Sequence, residues 1–346
     1  MLTLPVDPAI KPLVIIFTFL LGLSIGSFLN VVALRFLNDE EFVNKPSHCP
    51  KCSKEILPID NIPVASYIIL GGACRNCKEP ISIQYPLVEL ATGLLFVFVV
   101  WNYGVSLQSL LLLFLMANLV VIFVTDWRES LIFEINSKSL IPAGIIYNLL
   151  NLGNVPGHTT VDLGMVTFPL SDAVISSVLA IALAFVFFEG MILLSRIMFE
   201  TDGFGHGDTH LMMGVGAFVG WQVTVMALVL GFVLQLIPAV PILVYQWIKE
   251  KRWTSLISGT VAVVSGVFPL VTTFYPQMVG NDQRVVKFLH IGCVVVSLVA
   301  LFFFLKNVKS SQNFTYLPLG PALVIGSIVG VFWGRHLIGL LLFAIS

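Results

Sequence analysis

Long apolar runs broken by short polar stretches dominate this chain. Crossing about 30 Å of hydrocarbon takes roughly 20 apolar residues in a helix. Runs of that order, some shorter, lie at 13–34, 86–103, 108–125, 132–152, 173–195, 209–219, 222–247, 256–275, 286–305 and 320–343. They predict an all-α polytopic membrane protein with about ten transmembrane helices. The run 209–219 is the shortest, and it is interrupted by Gly214 and Gly216 with Gly220 directly behind it. No low-complexity segment or internal repeat stands out. The first run has Asp7 and Lys11 before it and no small-x-small cleavage site after it, so it reads as a retained span rather than a signal peptide.

Composition agrees with the pattern. Of 346 residues, 57% are hydrophobic and 11% charged, against about 25% charged in a soluble domain. That excludes a water-soluble enzyme. A net charge of -1 offers no field for phosphate backbones, so no nucleic-acid partner is expected. The 27 phenylalanines read as lipid-facing and packing residues.

Lys and Arg set the orientation, since they collect on the cytoplasmic side. With loops assigned alternately, fourteen of the eighteen fall on the side of the 36–85 loop, among them Arg35, Lys51, Arg75, Arg128 and Lys249. The other side keeps Lys11, Arg284, Lys287 and Arg335. The 36–85 side is therefore expected to be cytoplasmic, with both termini on the opposite face.

Residues 36–85 form the one long polar loop, and they carry Cys49-x-x-Cys52 and Cys74-x-x-Cys77, 21 residues apart. Each pair offers two sulfurs from one tight turn, which suits tetrahedral zinc held by Cys49, Cys52, Cys74 and Cys77. Two disulfides are the alternative, but they rarely persist on a reducing side. The loop has few large apolar residues, and a metal would supply the staple it needs. The fifth cysteine, Cys293, lies in an apolar run and reads as a packed membrane residue.

Ionisable groups at membrane level are costly and usually functional. Asp126 ends the third run on the loop side, and Asp208 lies in Gly205-His206-Gly207-Asp208. Two runs separate them, so the chain returns to the same face and the carboxylates can meet. Such a pair suits peptide hydrolysis by water: one ionised Asp takes a proton, while the other, protonated, hydrogen-bonds the scissile carbonyl. Gly205 and Gly207 would let the backbone bend and approach a substrate.

Other readings stay open. Asp208 suits a helix N-cap, and Asp126 could pair with Arg128 at the interface. His206, Asp208 and His210 alternate in a way that also suits a metal. A proton- or cation-coupled transporter would use paired aspartates too, although it needs them near the midplane. Glu189 sits in an apolar run, where a buried hydrogen-bonded helix contact is expected.

The run from Gly26-Ser27-Phe28-Leu29-Asn30 through Ser47-His48-Cys49-Pro50, Asp60-Asn61-Ile62-Pro63-Val64 and Cys74-Arg75-x-Cys77 to Tyr85-Pro86-Leu87-Val88-Glu89-Leu90 resembles the amino-terminal half of the bacterial type IV prepilin peptidases. These are leader peptidases and N-methyltransferases of the GxGD aspartic protease family. Asp126, Asp208, Gly214-x-Gly216-Ala217 and Leu319-Gly320-Pro321-Ala322-Leu323 also resemble the family.

The resemblance implies catalytic roles for Asp126 and Asp208, with Gly205 and Gly207 as the supporting loop. It implies prepilins and type II secretion pseudopilins as substrates, cut after a Gly of a basic leader, and location in the inner membrane with periplasmic termini. S-adenosylmethionine is the implied methyl donor, and a monofunctional peptidase is the alternative. Glu89, in the family-like stretch, could be an interfacial anchor or take part in methylation.

The implied plan is a first transmembrane helix over 1–35, a cytoplasmic zinc-binding loop domain over 36–85, a peptidase core over 86–247, an extra hairpin over 248–310 and a final helix over 311–346. Three departures stand out. His210 replaces a Lys, Phe133 replaces a Pro, and the 222–319 stretch is long enough to hold two extra runs, 256–275 and 286–305.

Overall fold

The computed structural model describes residues 9–37, 47–150, 172–200, 205–251, 253–274 and 318–345, with a few positions between 292 and 299. Ten helices are named here in chain order: α1 (Lys11–Leu37), α2 (Ala65–Ile69), α3 (Gln84–Tyr103), α4 (Leu107–Glu129), α5 (Glu134–Leu150), α6 (Asp172–Phe199), α7 (His206–Val219), α8 (Trp221–Lys249), α9 (Trp253–Phe274) and α10 (Gly320–Ile345). A 3₁₀ turn covers Pro58–Asn61. Among the described residues there are no strands, only two isolated antiparallel bridges, His48 with Glu55 and Ala73 with Pro80.

Six helices are long and apolar enough to cross a membrane: α1, α3, α4, α6, α8 and α10. The expected count of ten is not reached among the described residues, for physical reasons. The runs 132–152 and 209–219 both form helices, and α5 runs up to the last described residue before 151. α7 has only 14 residues, which at 1.5 Å each reach about 21 Å, short of the hydrocarbon thickness. Gly220, at φ +79, stops α7. The run 256–275 is covered by α9, and most of 286–305 lies outside the described residues.

The chain divides into two compact units. One comprises Met1–Leu194, Asp202–Leu234 and Pro318–Ser346; the other comprises Ser195–Thr201 and Gln235–Leu317. The second holds the carboxyl-terminal part of α8, with Pro238 and Pro241 inside the helix, and α9.

The first unit holds every candidate site residue, and small residues bring its helices together. A Cβ on Gly22 would lie 2.7 Å from the Gly93 Cα, and one on Gly26 would lie 2.8 Å from the Glu89 Cα. That close approach seats α3 on α1. Likewise a Cβ on Gly144 would lie 2.6 Å from Ala217, and one on Gly214 would lie 2.6 Å from Leu140, so α5 and α7 pack backbone to backbone. Buried Asn148 ties the same pair, its amide donating to the Ala217 carbonyl at 2.7 Å. Leu115, Met116, Leu119 and Ile122 of α4 are fully buried in the core, beside Leu211 and Met212 of α7 and Leu323 of α10. This core sets the ends of α4, α7 and α10 in place.

Candidate active site and cysteine centre

Asp126 lies in the last turn of α4, which ends where Ser130 adopts a left-handed conformation (φ 53, ψ 42) and its N–H donates to the Asp126 carbonyl. The Asp126 side chain is buried, at 4% exposure. An anion at a helix carboxyl end opposes the macrodipole. Here another helix compensates: the Gly320 N–H, at the start of α10, donates to Asp126 Oδ2 at 2.8 Å. First-turn N–H groups have no partner within their own helix, and that end of the dipole favours a carboxylate. Only glycine fits, because a Cβ on Gly320 would lie 2.5 Å from Asp126 Oδ2.

Asp208 sits in the first turn of α7, 5% exposed. The N-cap position belongs to Gly205, whose carbonyl accepts the Asp208 N–H at 3.1 Å. Asp208 is therefore not the N-cap. Its Oδ1 is buried without a hydrogen-bond partner, and the carboxylate feels the charge of Asp126. Two buried carboxylates from different helices thus lie near enough for one to feel the charge of the other.

The two glycines differ. Gly205 has an extended backbone (φ -84, ψ 143) open to any residue, so no sharp bend requires it. At Gly207 the reason is packing, since a Cβ would lie 2.6 Å from that of Ile132.

Nearby readings change as well. Arg128 does not pair with Asp126; its Nε donates to Gln84 Oε1 at 2.7 Å. His206 Nδ1 lies 3.0 Å from Glu189 Oε1, so Glu189 has a half-exposed partner on α7 rather than a buried contact. His210 Nδ1 is buried and unpartnered. His206, Asp208 and His210 do not gather as metal ligands; the four cysteines are the one such cluster among the described residues. Phe133, in the place of a Pro, stacks on Phe36 with ring centroids 4.8 Å apart.

The two cysteine pairs form matching knuckles. The Cys49 N–H donates to the Lys54 carbonyl and the Ser53 N–H to the Cys49 carbonyl, and 25 residues on Cys74 with Glu79 and Lys78 with Cys74 repeat the pattern. Ser53 (φ 55) and Lys78 (φ 59) both close their turns in the left-handed region. Lys51 and Glu79 join the knuckles in an ion pair of 2.8 Å. The four Sγ atoms lie within 4.8 Å of one another, and those of Cys49 and Cys77 are 3.7 Å apart. Tetrahedral Zn–S bonds of about 2.3 Å put sulfurs about 3.8 Å apart, so the cluster fits zinc. Backbone N–H groups of Cys52 and then Lys51 pull the Cys49 thiol down to about 6, which favours the thiolate that a metal binds.

Residues 20–103 match the Bacterial Peptidase A24 N-terminal domain, and residues 113–240 match the Type IV leader peptidase family. A prepilin leader peptidase/N-methyltransferase of Pseudomonas aeruginosa is 33% identical over 238 residues, 62% of this chain and 76% of that protein. The chain belongs to the type IV leader peptidase family.

Two further relatives carry the same name. The Neisseria gonorrhoeae protein is 32% identical over 282 residues, covering 74% of this chain and 90% of the relative. The Myxococcus xanthus protein is 33% identical over 215 residues, covering 61% of this chain and only 58% of the relative. No solved structure matches. Family membership and six apolar helices make this a multi-pass membrane enzyme.

Sequence reading did not find the support that Gly320 gives Asp126. It placed Gly320 in a family-like motif, but the contact spans 194 residues and leaves no local signal.

Proposed function

We propose that this protein is a prepilin leader peptidase and N-methyltransferase of the inner membrane. It cleaves type IV prepilins and type II secretion pseudopilins after the leader Gly and then methylates the new N-terminal amine. Asp126 and Asp208 are the catalytic pair. What supports this reading is that both are buried carboxylates, one braced by a backbone N–H and the other left with a free oxygen.

In this reading the two carboxylates share one proton, since Asp208 feels the charge of Asp126. Asp126, stabilised by the Gly320 N–H, is the anion that takes a proton from the attacking water. Asp208 holds the shared proton and donates a hydrogen bond to the scissile carbonyl. The same Asp126 proton then serves the leaving amine, so no covalent intermediate forms.

The cysteine centre holds one structural zinc through Cys49, Cys52, Cys74 and Cys77. This loop and both aspartates face the cytoplasm and the termini the periplasm, a sidedness supported by the Lys and Arg asymmetry. Incubating the purified protein with a prepilin and S-adenosylmethionine and weighing the product tests the reading. A mature pilin one methyl heavier is expected. Uncleaved prepilin would end the reading, and cleavage without the methyl would reduce it to a peptidase.

A further inference from the structure

A cavity of about 470 Å³ lies between the cysteine knuckles and the ends of α1, α3 and α4. That is the size of a site for a small molecule. Polar groups of both signs line it, together with Tyr67 and Tyr85.

Glu89 stands out in its wall. The residue is 7% exposed, and Oε2 accepts the Val64 N–H at 2.7 Å while Ser27 hydrogen-bonds the carboxylate. No basic side chain forms an ion pair with it among the described residues. Of the cations that line the cavity, Arg75 is committed, with Nε and Nη2 on the two oxygens of Asp60 at 2.7 and 2.5 Å, Arg128 donates to Gln84, and Arg35 and Lys54 make no ion pair with Glu89. A buried carboxylate without a counter-cation is costly, and a cationic ligand would relieve that cost. The backbone at the same contact is also strained. Val64 has φ +61, an outlier for a β-branched residue, and such strain collects at ligand clamps.

The cavity reaches the end of α4 that carries Asp126. Arg128 lines it and lies two residues beyond Asp126 on α4, about 3 Å along the helix axis.

We propose that this cavity is the methyl-transfer chamber: it binds S-adenosylmethionine, and Glu89 faces the point where the sulfonium meets the new N-terminal amine. The proposal rests on the methyltransferase reading above and adds the place and the charge that serve it. Both reacting centres arrive positive, which matches the buried Glu89 carboxylate, and the tyrosine faces can also attract a cation. The N-terminal ammonium gives a proton to Glu89. The amine nitrogen then forms its bond to the methyl carbon as the C–S bond breaks with its electron pair left on sulfur. S-adenosylhomocysteine departs, the positive charge passes to the methylated amine, and Glu89 releases its proton to water.

Binding of S-adenosylmethionine and S-adenosylhomocysteine to the full-length protein in nanodiscs, measured by calorimetry, tests this. Glu89→Gln should weaken S-adenosylmethionine tenfold or more while changing the uncharged-sulfur product less than threefold. Ser66→Trp, which fills the cavity, should weaken both at least tenfold. Melting temperatures report folding, and photocrosslinking of labelled S-adenosylmethionine to wild-type protein should label the 47–89 stretch. Unchanged binding of both ligands by both variants, or label confined elsewhere, would overturn the chamber while a methylated product still upheld the methyltransferase. A wild-type protein that neither binds the donor nor makes methylated product would instead sink the methyltransferase reading, and this proposal with it.

Discussion

Asp126 occupies a position that its own helix disfavours by roughly 0.3–1 kcal/mol, and the start of α10 reverses the balance through one N–H donated at 2.8 Å. Gly320→Ala tests this brace. Alanine is a better helix former than glycine, so α10 itself should not suffer, but the added Cβ would strike Asp126 Oδ2. Prepilin cleavage should fall at least tenfold with little change in melting temperature; cleavage near the wild-type rate would show that the brace is dispensable. For the dyad, Asp126→Asn and Asp208→Asn should each cut cleavage by several orders of magnitude, and the double variant should be little worse, because residues acting as one unit are non-additive. Additive losses in single-turnover assays would argue that the two carboxylates act separately. Both aspartates drew attention in the sequence, because a costly charge at a span edge marks itself, and both prove to be buried. The Gly320 brace was not, since it joins residues 194 positions apart.

Elements divide in the same way. The cysteine pairs announced a tetrahedral centre by spacing alone. Their shared fold, with equivalent turns 25 residues apart, needed the backbone, because the intervening side chains do not repeat. Cys74→Ser should release zinc, measured by elemental analysis, and loosen the loop while the membrane helices stay folded. Methyl transfer should suffer more than cleavage; full zinc retention would refute four-thiolate ligation. The short helix α7 shows where apolar patterning runs out. Its glycines look alike in the sequence, yet Gly205 has an ordinary backbone and a Cβ there would make only ordinary contacts, 3.8 Å from Asp208 Oδ2, whereas Gly207 abuts Ile132. Gly205→Ala should therefore keep cleavage within about threefold, under about 0.7 kcal/mol of barrier. Gly207→Ala should displace the Asp208 turn and lose tenfold or more, and equal effects of the two would contradict the packing account.

At the scale of the whole molecule, the argument for sidedness is electrostatic and comes from the chain rather than from any helix contact. Hydropathy found the six spans seen among the described residues, but apolar content does not distinguish a buried 14-residue helix such as α7 from a spanning one. Charge asymmetry is independent of that count. Lys249, Lys251 and Arg252 precede the 256–305 stretch, and Lys306 and Lys309 follow it, so both flanks are basic and belong on the cytoplasmic side. If the stretch crosses twice, Asn281 between its two apolar runs must emerge in the periplasm; this position lies outside the described residues, and the expectation rests on sequence. An epitope inserted at Asn281 should be reached by antibody in intact spheroplasts, while one inserted after Lys251 should be reached only in inside-out vesicles. Detection of the Asn281 epitope solely from the cytoplasmic side would mean that the stretch does not cross. Because an inserted pair of spans leaves the sidedness on either side of it unchanged, that result would make the hairpin a surface element without altering the sidedness expected for Asp126, Asp208 or the cysteine centre.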